Sequence, residues 1–123
     1  MADSHRPGHV TVRAERVTDT VVVVRASGEI DLATSAPLRE ALERAATNPT
    51  VRLLVCDLSG VTFLACNGLT LLLAARSTMD GRDGELRVVA TEPSVLRLFA
   101  LTGLTEKLGV RTNSRTLVSL RPE

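Results

Sequence analysis

The chain has 123 residues, 44% of them apolar and 24% charged, with 15 basic against 14 acidic side chains, no Trp, no Tyr and two Phe (Phe63 and Phe99). This suits one domain with a core that needs neither metal nor disulfide. The even charge gives no electrostatic ground for nucleic acid or an acidic membrane as partner, and so few aromatics exclude a base-stacking platform.

Residues 1–8 are polar, include Pro7 and Gly8, and are expected to form a loose tail before a single domain over 9–120. The start lacks the apolar segment of a secretion signal, and no run approaches the roughly 18 apolar residues of a membrane span; the expectation is a cytoplasmic protein with no membrane partner. Val10, Val12 and Ala14 alternate with polar residues, the period of a half-buried strand. After a turn at Thr18–Thr20, the β-branched run from Val21 predicts a buried strand closed by Gly28 and paired with the first as an antiparallel hairpin. Leu38, Ala41, Leu42 and Ala45 then recur on one helical face. Thr34 or Ser35 can cap this helix, Pro37 is tolerated in its first turn, and Asn48-Pro49 stops it.

The stretch VRLLVCDLSG, nearly all apolar, reads as a central strand covered on both faces. A tight loop within FLACNGL follows, then a helix over Asn67–Met79 with Leu69, Leu72 and Leu73 toward the core. Residues 80–84 turn, ELRVVA is a strand, and Pro93 opens a helix ended by Gly103 at a left-handed position. KLGVRTN gives a short last strand, and SRTLVSL is a short helix or an edge strand. Strands alternating with helices imply right-handed crossovers and an α/β class: about five strands in a small mixed sheet, the central ones parallel, packed on three or four helices.

The sequence is poor in reactive groups. Its two histidines, His5 and His9, both lie near the start, and Cys56 is expected as a buried small hydrophobe, so no metal site and no cofactor are expected. Cys66 has no histidine in the folded part to serve as base, and the dipole effect at an exposed helix start is only about 0.3–1 kcal/mol. There is no glycine-rich phosphate loop. Asp31 can cap the first helix or touch a partner, and Asp57 is expected at a turn. What remains is binding: the helix start after the loop offers backbone N–H groups and small side chains, with Thr70, Ala74 and Ser77 along one side and Leu71 beside them.

GEIDLATSAPLREAL, VCDLSGVTFLACNGLTLLL and VLRLFALTGL together resemble the STAS domain family, of the bacterial anti-sigma factor antagonist type, over about Val10 to Arg111. The resemblance implies a non-enzymatic module that binds an anti-sigma factor/serine kinase and so releases a sigma factor. It also implies a switch, a serine or threonine phosphorylated at the start of the second helix, in a loop that usually reads Asp-Ser-Ser/Thr-Gly. Here that loop reads Ala65-Cys66-Asn67-Gly68, so the phosphorylation position falls on Cys66 and the preceding acid on Ala65. Thr62 and Thr70 are nearby hydroxyls outside the matching position. The expected contact residues are Asp31, Thr34, Thr62, Ala65, Cys66, Asn67, Gly68, Thr70, Leu71 and Ala74. Three uses of an unswitched loop stand side by side: a constitutive antagonist, a scaffold subunit in an assembly of related domains, or a module with a changed partner. A redox-sensing role through Cys66 is a further alternative.

Overall fold

A computed structural model describes residues 9–112; the tail 1–8 and the segment SRTLVSL lie outside them. The elements are β1 (Val10–Arg16), β2 (Val21–Ile30), α1 (Ala36–Thr47), β3 (Leu53–Leu64), α2 (Cys66–Asp80), β4 (Glu85–Val89), α3 (Pro93–Thr102) and β5 (Val110–Arg111). The strands form one sheet in chain order. β1 and β2 are antiparallel, and all later neighbours are parallel. This is the α/β class expected, with a mixed five-stranded sheet and three helices.

The apolar runs of β2 and β3 are explained by burial on both faces of the sheet. Val22, Val24, Leu54, Cys56 and Val88 share the main core with Leu38 and Leu42 of α1, Leu69 and Leu72 of α2, and Val95 and Phe99 of α3. The alternate residues Val21, Val23, Leu53, Val55 and Val89 form a separate cluster. Pro37 lies in the first turn of α1 and Asn48 ends it. Gly103, at φ +74°, closes α3, and the Leu104 N–H donates back to the Phe99 carbonyl at 2.9 Å.

Several expectations need correction. β2 does not close at Gly28 but runs on to Ile30, with an irregularity in its pairing to β3 between Gly28 and Glu29. Because β2 continues, β3 continues beside it to Leu64, so the loop expected within FLACNGL shrinks to Ala65 and the helix begins at Cys66 rather than Asn67. Ala14 is exposed, whereas Val10 and Val12 pack partly on the core. Leu73 packs on the core as expected, though only half-buried, while Leu69, Leu72, Ala75 and Met79 of α2 are fully sunk. Asp57 is not a turn residue: it is buried in β3, accepts the Ser59 N–H at 2.9 Å and pairs with Arg25 at 3.5 Å.

The β2 extension hinges on Gly28. Its φ is +102°, and a Cβ there would sit 2.2 Å from the His9 carbonyl oxygen. The clash is with backbone, which cannot swing aside, and the dihedral itself is strained for other residues. Gly28→Ala is expected to cost about 1–3 kcal/mol in urea unfolding; an unchanged midpoint would show that β2 does not need this conformation.

Candidate functional site at the paired helix starts

Parallel pairing of β2 with β3 holds to the last residues, Ile30 opposite Leu64. The Ala65 N–H then donates to the Ile30 carbonyl at 2.8 Å. With Ala65 extended at φ −80° and ψ 166°, the chain passes from strand to helix in a single residue. Both β2 and β3 therefore release their helices at the same end of the sheet, and the starts of α1 and α2 lie side by side.

The turn into α1 is closed by its own side chains. One Asp31 carboxylate oxygen accepts the N–H groups of Ala33 and Thr34, both at 3.0 Å. The Thr34 hydroxyl accepts the Asp31 N–H at 2.9 Å and donates to the Glu29 carbonyl at 2.7 Å. Asp31 thus serves its own turn, and α1 starts from Ser35, whose hydroxyl makes no capping bond. That hydroxyl instead accepts an N–H from the Asn67 side chain at 3.1 Å, tying α2 to α1.

Asp31, Thr34, Ala65, Cys66 and Asn67 come together at this end. Cys66 is exposed in the first turn of α2, and Ala65 and Asn67 are half-buried beside it. Gly68 departs from the expected contact set. It is buried, and a Cβ on it would meet Leu64 Cδ1 at 2.4 Å, so it offers room for packing rather than surface. Thr62 is exposed on β3, its hydroxyl 3.5 Å from the Gly28 carbonyl. Thr70 and Ala74 are exposed along α2, and Leu71 is half-buried. Leu71 and Ala74, with Leu42 and Ala46 of α1, line a groove of about 130 Å³ between the helices.

Leu32 escaped the sequence reading, and Phe63 falls within the expected contact span from Thr62 to Leu73 without being singled out. Leu32, at the tip of the Asp31–Thr34 turn, is 83% exposed, and Phe63, next to last in β3, is 49% exposed. Leu32 had a signal: an apolar residue between the two side chains that close a turn is pushed outward.

The two thiols differ in chemistry. Cys66 is exposed, whereas Cys56 is fully enclosed, and burial, with the Asp57 charge adding to it, pushes the Cys56 thiol from 9.0 up to about 12. In the unfolded chain this thiol ionises near 9, in the folded chain only near 12, so above pH 9 the unfolded state binds fewer protons and gains. Stability contributed by this thiol is whole below pH 9 and is lost as pH rises toward 12. Urea unfolding at pH 8 to 10.5 is expected to show that decline in the wild type and a flatter profile in Cys56→Ala; parallel profiles would contradict the assignment. Among the described residues no group of three or more His, Cys, Asp and Glu is placed to hold a metal ion, and no helix is long and apolar enough to cross a membrane.

A sheet in chain order, its first strand antiparallel, with two helix starts side by side at one end, has clear relatives. The family model of the STAS domain matches residues 13–117. The chain belongs to the STAS domain family. Among curated proteins it is similar to the anti-sigma-F factor antagonist RsfB of Mycobacterium tuberculosis, 46% identical over 85 residues covering 68% of this chain and 67% of that one. It is also similar to the anti-sigma-B factor antagonist of Listeria monocytogenes, 31% identical over 79% of this chain and 83% of that one. Among solved structures, an anti-sigma factor antagonist from Mycobacterium paratuberculosis superposes with a TM-score of 0.82 at 34% identity, covering 95% of this chain and 98% of that one. The unphosphorylated form of the anti-sigma factor antagonist SpoIIAA gives a TM-score of 0.76 at 22% identity, covering 90% of this chain and 96% of that one; this likeness bears on the fold alone.

Proposed function

We propose that the chain is a non-enzymatic anti-sigma factor antagonist that binds an anti-sigma factor/serine kinase in the cytoplasm, and that its binding no longer answers to phosphorylation. The reading is supported by one observation above the rest. The position that the family resemblance assigns to a phosphorylated hydroxyl is Cys66, exposed in the first turn of α2, and the residue before it is Ala65. In the switched arrangement, a phosphate there adds about −1.5 to −2 charge at pH 7 inside a contact surface. It suits the helix start but forces a partner to accommodate bulk and to strip water from a dianion. A thiol cannot form the ordinary serine phosphoester, and Ala65 supplies no carboxylate to orient an acceptor. The surface formed by the Asp31–Thr34 turn, Thr62, the first turn of α2 and the Thr70–Ala74 flank then stays in its unphosphorylated state.

Leu32 and Phe63 add exposed apolar area that a partner can remove from water. A charge placed where a side chain is desolvated against a partner costs at least about 1.4 kcal/mol, or ten-fold in affinity. Leu32→Arg, on an exposed turn tip, is expected to weaken kinase binding by at least about ten-fold without moving the melting transition. An unchanged Kd would remove the turn from the surface.

Incubation with an anti-sigma factor kinase and ATP tests the lost switch. Intact mass spectrometry is expected to show no phosphate on the wild type and stoichiometric phosphate on the Ala65→Asp/Cys66→Ser double variant. Full phosphorylation of the wild type, at Thr62, Thr70 or elsewhere, would refute it.

A further inference from the structure

The two chain segments that meet at this end of the sheet are linked through one buried hydroxyl. Ser35 is 3% exposed; with Asp57 it makes up the buried polar side chains among the described residues. It receives the Asn67 side-chain N–H at 3.1 Å, and its own hydroxyl is directed at the Leu32 carbonyl at 3.5 Å. Leu32 is the exposed tip of the turn that Asp31 and Thr34 close. A continuous polar path thus runs from the first turn of α2, through Ser35, to the backbone that carries Leu32. Asn67 and Ser35 are 32 positions apart in sequence, and neither side chain caps a helix. The bond therefore does nothing for either helix alone. Without Asn67, Ser35 keeps only the long contact to Leu32, and a buried hydroxyl with poor partners drives rearrangement around it.

We propose that Asn67 is a positioning residue: through Ser35 it locks the Leu32-bearing turn to the first turn of α2, so that Asp31–Thr34 and Cys66 present one rigid surface. A displacement at Cys66 or Asn67 then reaches Leu32 without passing through the sheet. A rigid surface meets a partner with less ordering cost on binding, which gives the coupling its use. That use rests on the binding function proposed above, but the coupling is measurable with no partner present.

The experiment is amide hydrogen exchange by NMR on the full chain. The reporters are the Ala33 and Thr34 amides, which donate to Asp31, and the control is Val55 in β3. Asn67→Ala is expected to speed exchange at Ala33 and Thr34 about five-fold, the factor for one lost hydrogen bond, with Val55 unchanged. Ser35→Ala should do the same, and the double variant no more than either single one. Asn67→Asp removes the donor and draws the single Ser35 proton away from the Leu32 carbonyl, so it should speed exchange at the same two amides as Asn67→Ala does. Unchanged reporters in Asn67→Ala, an equal rise at Val55, or additive effects in the double variant would each overturn the inference. Kinase affinity of the same variants separates the two readings: coupling with no change in affinity would count against the binding surface and leave the coupling standing.

Discussion

The hydrogen bond from the Ala65 N–H to the Ile30 carbonyl, at 2.8 Å, is the constraint from which this molecule's functional end follows. It is the last rung between β2 and β3, made where β3 has already ended. It leaves a single residue in which the backbone must turn from strand to helix. Because β2 is paired out to Ile30, the turn into α1 begins at the same level as α2. A shorter β2, closed at Gly28, would free several residues before α2 and make its start a flexible loop. Gly28 can pass through the sheet because it adopts φ +102°, and the close approach of His9 is open only to a residue without a Cβ. One glycine in the interior of a strand thus decides how tightly Cys66 is held three strand residues and a junction further on.

Held in that way, the start of α2 offers a surface of one electrostatic character. Cys66 and Ala65 carry no charge acceptor, Asn67 is committed to Ser35, and the Asp31 carboxylate is engaged by the backbone of its own turn. The groups at its centre are small or apolar, the Cys66 thiol, Leu32, Phe63 and the Thr70–Ala74 flank, with Glu29 beside Phe63 and Arg39 along the groove exposed at its edge. The uncharged centre of such a surface offers a partner shape and apolar area to remove from water. The near-zero net charge of the whole chain agrees with this. The chain belongs to the STAS domain family and is similar to curated anti-sigma factor antagonists, which is the ground for the partner proposed above.

The fold was legible in the sequence because its strongest signals are periodic. The valines of β2 and the apolar run of β3 can be stable only with both faces covered, and Leu38, Ala41, Leu42 and Ala45 have one helical reading. Asn48 and Gly103 mark helix ends by local chemistry alone. What was not legible depended on pairing. Gly28 reads as a strand end unless His9 is known to lie against it, and misplacing that end turned the last residues of β3 into a loop. Asp57 looked like a turn residue because the Arg25 that pairs with it comes from another strand. The candidate contact residues were found from a family resemblance and from the small side chains of α2. Leu32 was missed because exposure at a turn tip comes from the Asp31–Thr34 bonds, and the Ser35–Asn67 bond was missed because it joins residues of two different helices. Gly68 was placed on the surface by its neighbours in sequence, whereas Leu64 fills the space above it.

The proposal that binding does not answer to phosphorylation is tested most directly by titrating the chain with an anti-sigma factor/serine kinase by calorimetry, once with the chain untreated and once after long exposure to that kinase with Mg²⁺ and ATP. The dissociation constant is expected to be the same in both titrations. A loss of affinity after ATP treatment, reversed by a phosphatase, would contradict it.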